Sequence, residues 1–191
     1  IKHLGVARRA EKGIELRVHP TLIPAERLIA NVNGVKNAVL VQSQPVGATL
    51  YYGSGAGAGP TASSIVADIV DVVRSMDSEQ NNFVPHLAFQ PHAITDTPIL
   101  PMDEVVTSYY LRLTANDRPG VLADVTRILS QHGISIEAIL QKPAHEAGSV
   151  PVILLTKPVV EREMNLAIAE MEELDDIIGK VVRIRLENLD A

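Results

Sequence analysis

The sequence predicts an α+β chain in two parts joined by a proline-rich strap. Three observations carry that prediction. A bend with alternating glycines, Tyr51–Ser64 (YYGSGAGAGPTASS), follows two strand-like runs and leads into one long helical pattern. The stretch from Asp77 to Thr107 shows no sustained period and holds Pro85, Pro91, Pro98 and Pro101. From Ser108 onward the periodicities run β-α-β-β-α-β, the split βαβ arrangement of ferredoxin-like domains. The parts are therefore 1–76, a partial mixed sheet with its helix; 77–107, an ordered linker; and 108–191, the βαββαβ unit.

The elements follow from local pattern. Ile1–Arg9 reads as a strand, Ala10–Gly13 as a turn, and Ile14–His19 as the partner strand. In that partner Ile14, Leu16 and Val18 share one face and Glu15, Arg17 and His19 the other, a period of two that suits a sheet with one wet face. Pro20 and Pro24 bracket TLI, AERLIA makes a short helical turn, and NVNG is turn chemistry. Asn37–Gln42 and Ala48–Tyr52 read as strands around a QPVG hairpin turn. Thr61–Met76 is a helix. Its apolar residues Ile65, Val66, Ile69, Val70, Val72 and Val73 exceed one narrow stripe, so burial on more than one side is expected. The strap is apolar enough (VPHLAF, ILP) to lie ordered on a surface.

In the last part Ser108–Ala115 alternates, with Tyr109, Leu111 and Leu113 opposite Tyr110, Arg112 and Thr114. Asn116–Gly120 (NDRPG) turns into a helix over Val121–His132, with Val121, Leu122, Val125, Ile128 and Leu129 inward and Gly133 closing it. Ile134–Leu140 is a strand and Pro143–Gly148 a loop. In the strand Val150–Thr156, Pro151 points to an edge or a strand start. Val159–Leu174 is a helix with acidic decoration, the run Glu170–Asp176 reads as a solvated helix end, and Ile178–Leu186 is the last strand.

The glycine bend can act chemically. Gly53, Gly55, Gly57 and Gly59 allow positive φ and close approach of a ligand to backbone. Pro60 suits the first helical turn, and free N–H groups there favour anionic or polar groups. The spacing Gly53, Gly55, Ala58 fits G-x-G-x-x-G/A, but no strand ending in an acid follows, so a complete Rossmann unit is rejected. Two readings of the bend stay open: contact with a ligand, or small residues that let the helix pack tightly on the sheet.

Composition narrows the classes. With 191 residues, net charge −6 and no cysteine, the chain offers no general nucleic-acid surface, no disulfide framework and no thiolate metal site. No apolar run is long enough to span a membrane and no signal peptide is visible, which together point to the cytoplasm. The start at Ile1, not Met, reads as a cut or processed end with residues expected upstream. His3, His19, His86, His92, His132 and His145 show no metal spacing, so no metal site is expected. Ser54 sits in Y-G-S-G-A, not in a nucleophile elbow.

Residues 109–189, with Asn116-Asp117-Arg118-Pro119-Gly120-Val121-Leu122 after the first strand, closely resemble the ACT regulatory domain. The resemblance implies a small amino acid bound at Asn116, Asp117, Gly120, Val121 and Leu122, with a further polar contact from Gln141. Asn116 and Asp117 suit an ammonium or hydroxyl, and the N–H groups near Gly120–Leu122 suit a carboxylate; the alternative is that Asn116 and Asp117 merely cap the helix. IKHLGVAR, ELRVHPTLIP, NVNGVKNAV and YYGSGAGAGPTASSIVADIVD in turn resemble the C-terminal portion of homoserine dehydrogenase, a family with a bacterial form that carries an ACT domain after its catalytic core.

That second resemblance implies NAD(P)-dependent interconversion of L-aspartate 4-semialdehyde and L-homoserine, on the route to threonine, methionine and isoleucine. It implies cofactor contacts at Gly57, Gly55 and Ala56, a dimer through the mixed sheet with possible ACT–ACT contacts, and threonine as the effector. The family's Rossmann domain and catalytic lysine do not occur in these residues, so the 191 residues alone are expected to be inactive. NAD and NADP are not distinguished. Lys2 starts an apolar strand and is read as a solvated strand end, not as a replacement lysine. The alternative is a non-catalytic, amino-acid-sensing dimerisation module.

Overall fold

The computed structural model describes residues 1–76, 88–142 and 148–189. The strap residues 77–87, with His86, and the loop residues 143–147, with His145, lie outside the described residues. The chain divides into two compact units, one of Ile1–Pro24 with Thr97–Leu189, the other centred on Ala25–Asp96.

The first unit is built on one sheet. Its strands are β1 (Lys2–Ala10), β2 (Gly13–Leu22), β5 (Val106–Asn116), β6 (Ile136–Gln141), β7 (Ser149–Thr156), β8 (Val159–Val160) and β9 (Val182–Leu186). They are ordered β1-β2-β9-β5-β7-β6, with β8 against β5. Four of them, β9-β5-β7-β6, give the order that the βαββαβ pattern implies, antiparallel at every step. Helices α2 (Val121–Gln131) and α3 (Glu161–Glu172) cover one face. The inward row of β5, Tyr109, Leu111, Leu113 and Ala115, packs there with Val125, Ile128 and Leu129 of α2 and Met164, Ala167 and Met171 of α3. Helix α2 stops in a Schellman motif: Gly133 has φ +68°, its N–H meets the Ser130 carbonyl, and the Ile134 N–H meets the Leu129 carbonyl at 2.8 Å. Pro151 sits third in β7, an interior strand, so it marks neither an edge nor the first strand residue, although it lies in the first half of the strand.

The N-terminal hairpin joins this same sheet. β1 pairs antiparallel with β2 along its whole length, and β2 pairs parallel with β9 at Thr21↔Arg185 and Leu22↔Leu186. The alternation read in β2 is present, but the charged face is the buried one. Glu15, Arg17, His19 and Thr21 are buried, whereas Leu16 and Val18 are exposed, Val18 by 71%. The reason is long-range: Arg17 pairs with Glu15 and with Glu187, which lies 170 residues away. A second correction has the same cause. Glu161, read as helix decoration, is 3% exposed, because Tyr109, Arg183 and Arg185 surround its carboxylate.

The other unit holds β3 (Lys36–Ser43), β4 (Gly47–Ser54) and α1 (Ala58–Met76). β3 and β4 form a hairpin from Lys36↔Ser54 to Ser43↔Gly47, with a cis Gln44–Pro45 peptide in its turn. Burial of α1 on more than one side is not what the structure shows. Ile65, Val66, Ile69, Val70, Val72 and Val73 are all exposed, Ile69 by 56%, because no described element of this unit packs along the helix.

Candidate functional site

The end of β5 and the start of α2 form a pocket of about 370 Å³, within the size range of small-ligand sites. Asn116, Asp117, Gly120, Val121, Leu122 and Gln141 all line it, with Ala115, Val150 and Val152 as the apolar part. Three adjacent strands supply this: β5 ends in Asn116, β6 ends in Gln141, and β7 begins beside both.

The turn between β5 and α2 is held from two sides. The Asp117 N–H donates to the Gly148 carbonyl at 3.0 Å. On the other side Asp176 acts as a latch. Its carbonyl accepts the Asn116 N–H at 2.9 Å, and its carboxylate accepts the Asn116 side-chain amide at 3.1 Å and Arg118 Nε at 2.6 Å, with Arg118 Nη2 completing the fork. Arg118, reinforced by Asn116, holds the Asp176 carboxyl below the usual carboxylate range. Asp176 therefore belongs to no plain solvated helix end. The latch lies 60 residues from Asn116 in sequence, so no local pattern could reveal it.

Helix α2 opens with Gly120 at φ +100°, a conformation that disfavours other residues, although a Cβ there would meet open space. The first helical bond runs from the Asp124 N–H to the Gly120 carbonyl at 3.0 Å. The Val121, Leu122 and Ala123 N–H groups have no intrahelical acceptor, and among the described residues no side-chain cap bond satisfies them. Asn116 spends its amide N–H on Asp176 and keeps its side-chain oxygen as acceptor. The result is a small concavity with a carboxylate, an amide oxygen and a row of N–H donors. That combination is complementary to a zwitterion.

The glycine bend is a separate place, in the other unit. Gly57 has φ +122°, and its carbonyl accepts the Thr61 N–H at 3.1 Å, which starts α1 with Pro60 in the first turn. The Ala58 and Gly59 N–H groups consequently have no intrahelical acceptor. A Cβ on Gly53 or Gly59 would meet nothing within 4 Å, so the bend is open on those sides. Gly55 differs: its Cβ would fall 1.3 Å from the Asn37 amide nitrogen, and its N–H bonds the Val35 carbonyl at 3.0 Å. Internal packing alone accounts for glycine there, whereas at Gly57 a Cβ would be in ordinary contact with the Pro60 ring, 3.4 Å from Cδ. Ser54 accepts a hydrogen bond from Lys36 Nζ at 2.9 Å. Among the described residues there is no group of side chains that could hold a metal ion, and no helix long and apolar enough to cross a membrane.

Two family models match the chain, homoserine dehydrogenase over residues 1–70 and the ACT domain over residues 109–174. The homoserine dehydrogenase of Pseudomonas aeruginosa is 63% identical over 191 residues, which is all of this chain and 44% of that protein. That of Neisseria gonorrhoeae is 51% identical over 189 residues, 99% of this chain and 43% of that protein. The crystal structure of a homoserine dehydrogenase from Thiobacillus denitrificans matches with a TM-score of 0.90 at 61% identity, covering 99% of this chain and 42% of that one. The chain therefore spans less than half the length of the relatives it matches.

Proposed function

This chain is homologous from end to end to the homoserine dehydrogenases and carries their ACT domain, and from that premise we propose that it is the C-terminal part of such an enzyme, with a pocket that senses an amino acid. The whole protein would interconvert L-aspartate 4-semialdehyde and L-homoserine with NAD or NADP. The nicotinamide supplies the hydride chemistry, and the protein orients the reactants. This chain's share is the bend at Gly55–Gly57, of which Gly57 and Ala56 would lie along the cofactor. Its mixed sheet would serve a homo-oligomer.

The observation that carries the regulatory half is the convergence of Asn116, Asp117, Gly120, Val121, Leu122 and Gln141 on one pocket. The Asp117 carboxylate and the Asn116 oxygen would take an ammonium. The N–H groups of Val121, Leu122 and Ala123 would take the carboxylate. Gln141, with Val150 and Val152, would take a short side chain with a hydroxyl, which is why L-threonine is the proposed effector. Calorimetric titration of the chain with L-threonine tests this: saturable heat is expected, and its absence would remove the effector assignment. Purified chain is expected to show no dehydrogenase turnover. Measured turnover would refute the view that the catalytic groups lie elsewhere. Threonine binding in a longer protein that makes no nicotinamide contact would favour the non-catalytic sensing module.

A further inference from the structure

A buried polar seam crosses the first unit where the homoserine dehydrogenase match meets the ACT match. At its centre Arg17, 5% exposed, forks between Glu15 and Glu187, while Arg8 donates to the other Glu187 oxygen at 3.1 Å. Arg17 Nη1 donates to His19 Nε2 at 2.8 Å, so that nitrogen is unprotonated and the ring proton sits on Nδ1, facing the Pro20 carbonyl and Thr21 Oγ1. Thr21 is the register partner of Arg185. Arg185 Nε donates to Glu161 at 2.9 Å with Nη2 completing the fork; the Tyr109 hydroxyl donates to the same carboxylate, and Arg183 lies 3.2 Å from it. The seam thus runs from β1 through β2 and β9 to β5 and the first residue of α3.

Both strands that form the ACT side of this seam lead to the amino-acid pocket. β5 carries Tyr109 in the seam and Asn116 in the pocket, seven residues or about 24 Å apart. The latch residue Asp176 precedes Ile177, which bridges Ala115, and the chain then enters β9 with Arg183 and Arg185, followed by Glu187. The latch and the strand that holds the hairpin are thus joined through residues 177–181, with Ile177 and Ile178 held on β5.

We propose that this seam couples the amino-acid pocket to the N-terminal hairpin, so that occupancy of the pocket is read out by how firmly β1 and β2 dock on β9. The proposal rests on the reading of the pocket as an L-threonine site. The pairing between hairpin and ACT sheet is short, two residue pairs plus the Glu187 N–H to Leu22 carbonyl bond at 3.0 Å, so the side-chain seam dominates the docking. Coupling is reciprocal: whatever threonine does to hairpin docking, hairpin docking does to threonine affinity by the same factor.

The test uses the 191-residue chain with L-threonine as probe. Amide exchange over residues 2–22 is expected to change at least about 5-fold on saturation. Glu15→Met/Arg17→Met/Glu187→Met replaces Arg17 and both of its buried carboxylate partners with apolar groups, so that no partner is left as a buried, unpaired charge as it would be with Arg17→Met alone. In the triple variant threonine affinity is expected to shift by at least about 5-fold, although no changed residue lines the pocket. Leu16→Ser, on the exposed face of the same strand, is expected to leave affinity unchanged. No binding in the wild type overturns both the pocket reading and the coupling. Binding with unchanged exchange over 2–22, or with unchanged affinity in the triple variant, overturns the coupling alone.

Discussion

Replacing Glu161 with Gln keeps the shape of the side chain and removes one charge from the most enclosed carboxylate among the described residues. The carboxylate accepts from Arg185 twice and from the Tyr109 hydroxyl, with Arg183 Nη1 at 3.2 Å, and the side chain is 3% exposed. An amide keeps one acceptor oxygen and turns an N–H₂ toward two guanidinium groups. Breaking a buried pair by removing one partner costs about 3–5 kcal/mol. For a unit of this size each kcal/mol lowers the melting temperature by roughly 4 °C, so a fall of about 12–20 °C is expected. Thermal unfolding followed by circular dichroism at neutral pH measures it, with Glu163→Gln, partly exposed at the same helix start, as the control. The pH dependence adds a second check. Burial alone would raise the Glu161 pKa, but the hydrogen bonds from Arg185 and Tyr109 outweigh it and hold it below 4.5. The stability this group confers is complete above 4.5 and is lost as pH falls through the lower folded value. Glu161→Gln should lack that loss. A drop under about 1 kcal/mol, or an unaltered acid limb, would refute the view that the seam depends on this charge.

The remaining predictions follow from single contacts. Burial, aided by Arg185 and Arg17, holds the His19 pKa below its ordinary 6.5, against the pull of the Pro20 carbonyl and Glu187. Stability due to neutral His19 is therefore full above pH 6.5 and lost as pH falls through the folded value, so His19→Gln should unfold with less dependence on pH between 7.5 and 5. Asp176→Ala frees Asn116 and Arg118 and should weaken L-threonine binding in calorimetry while moving the melting temperature little, since the Arg118 pair is exposed. Gly57→Ala should cost about 1 kcal/mol or more because of its φ of +122°, measured by urea unfolding. Ile69→Glu, on the exposed α1, should leave stability within about 0.5 kcal/mol while reducing concentration-dependent light scattering.

Much of the ACT unit was legible because its signals are local. The alternation of Tyr109, Leu111 and Leu113, the helical spacing of Val125, Ile128 and Leu129, and Gly133 as helix terminator all act within a few residues, and all appear in the fold. Most pocket residues were legible because the turn Asn116–Leu122 is contiguous, while Gln141, Val150 and Val152 come from β6 and β7. What was not legible depends on distant partners. Alternation in β2 separates two faces but does not say which is covered, and here the covering groups include Glu187. The same holds for Glu161 against Arg185, for Asn116 against Asp176, and for Gly55 against Asn37. Helix α1 shows the converse. Its apolar residues give a correct helix, yet periodicity does not supply the surface that would cover them.

The charged seam also explains why the hairpin docks in one register. Main-chain pairing between β2 and β9 fixes only Thr21 and Leu22, and so short a ladder specifies position weakly. A slip of one residue along β2 would turn Glu15, Arg17 and His19 to the opposite face and strand Glu187 without its guanidinium. That state is penalised by a buried, unpaired charge, whereas an apolar row would slide at little cost. Net stability is therefore a poor measure of what these ion pairs contribute; uniqueness is the better one. Glu15→Met/Arg17→Met/Glu187→Met, which leaves neither carboxylate unpaired, should accordingly melt at a temperature close to wild type, yet show more than one set of backbone resonances for β2. A single set identical in chemical shift pattern to wild type would mean that the register is fixed by the turn at Glu11–Lys12 and the Ile14–Pro98 contact instead.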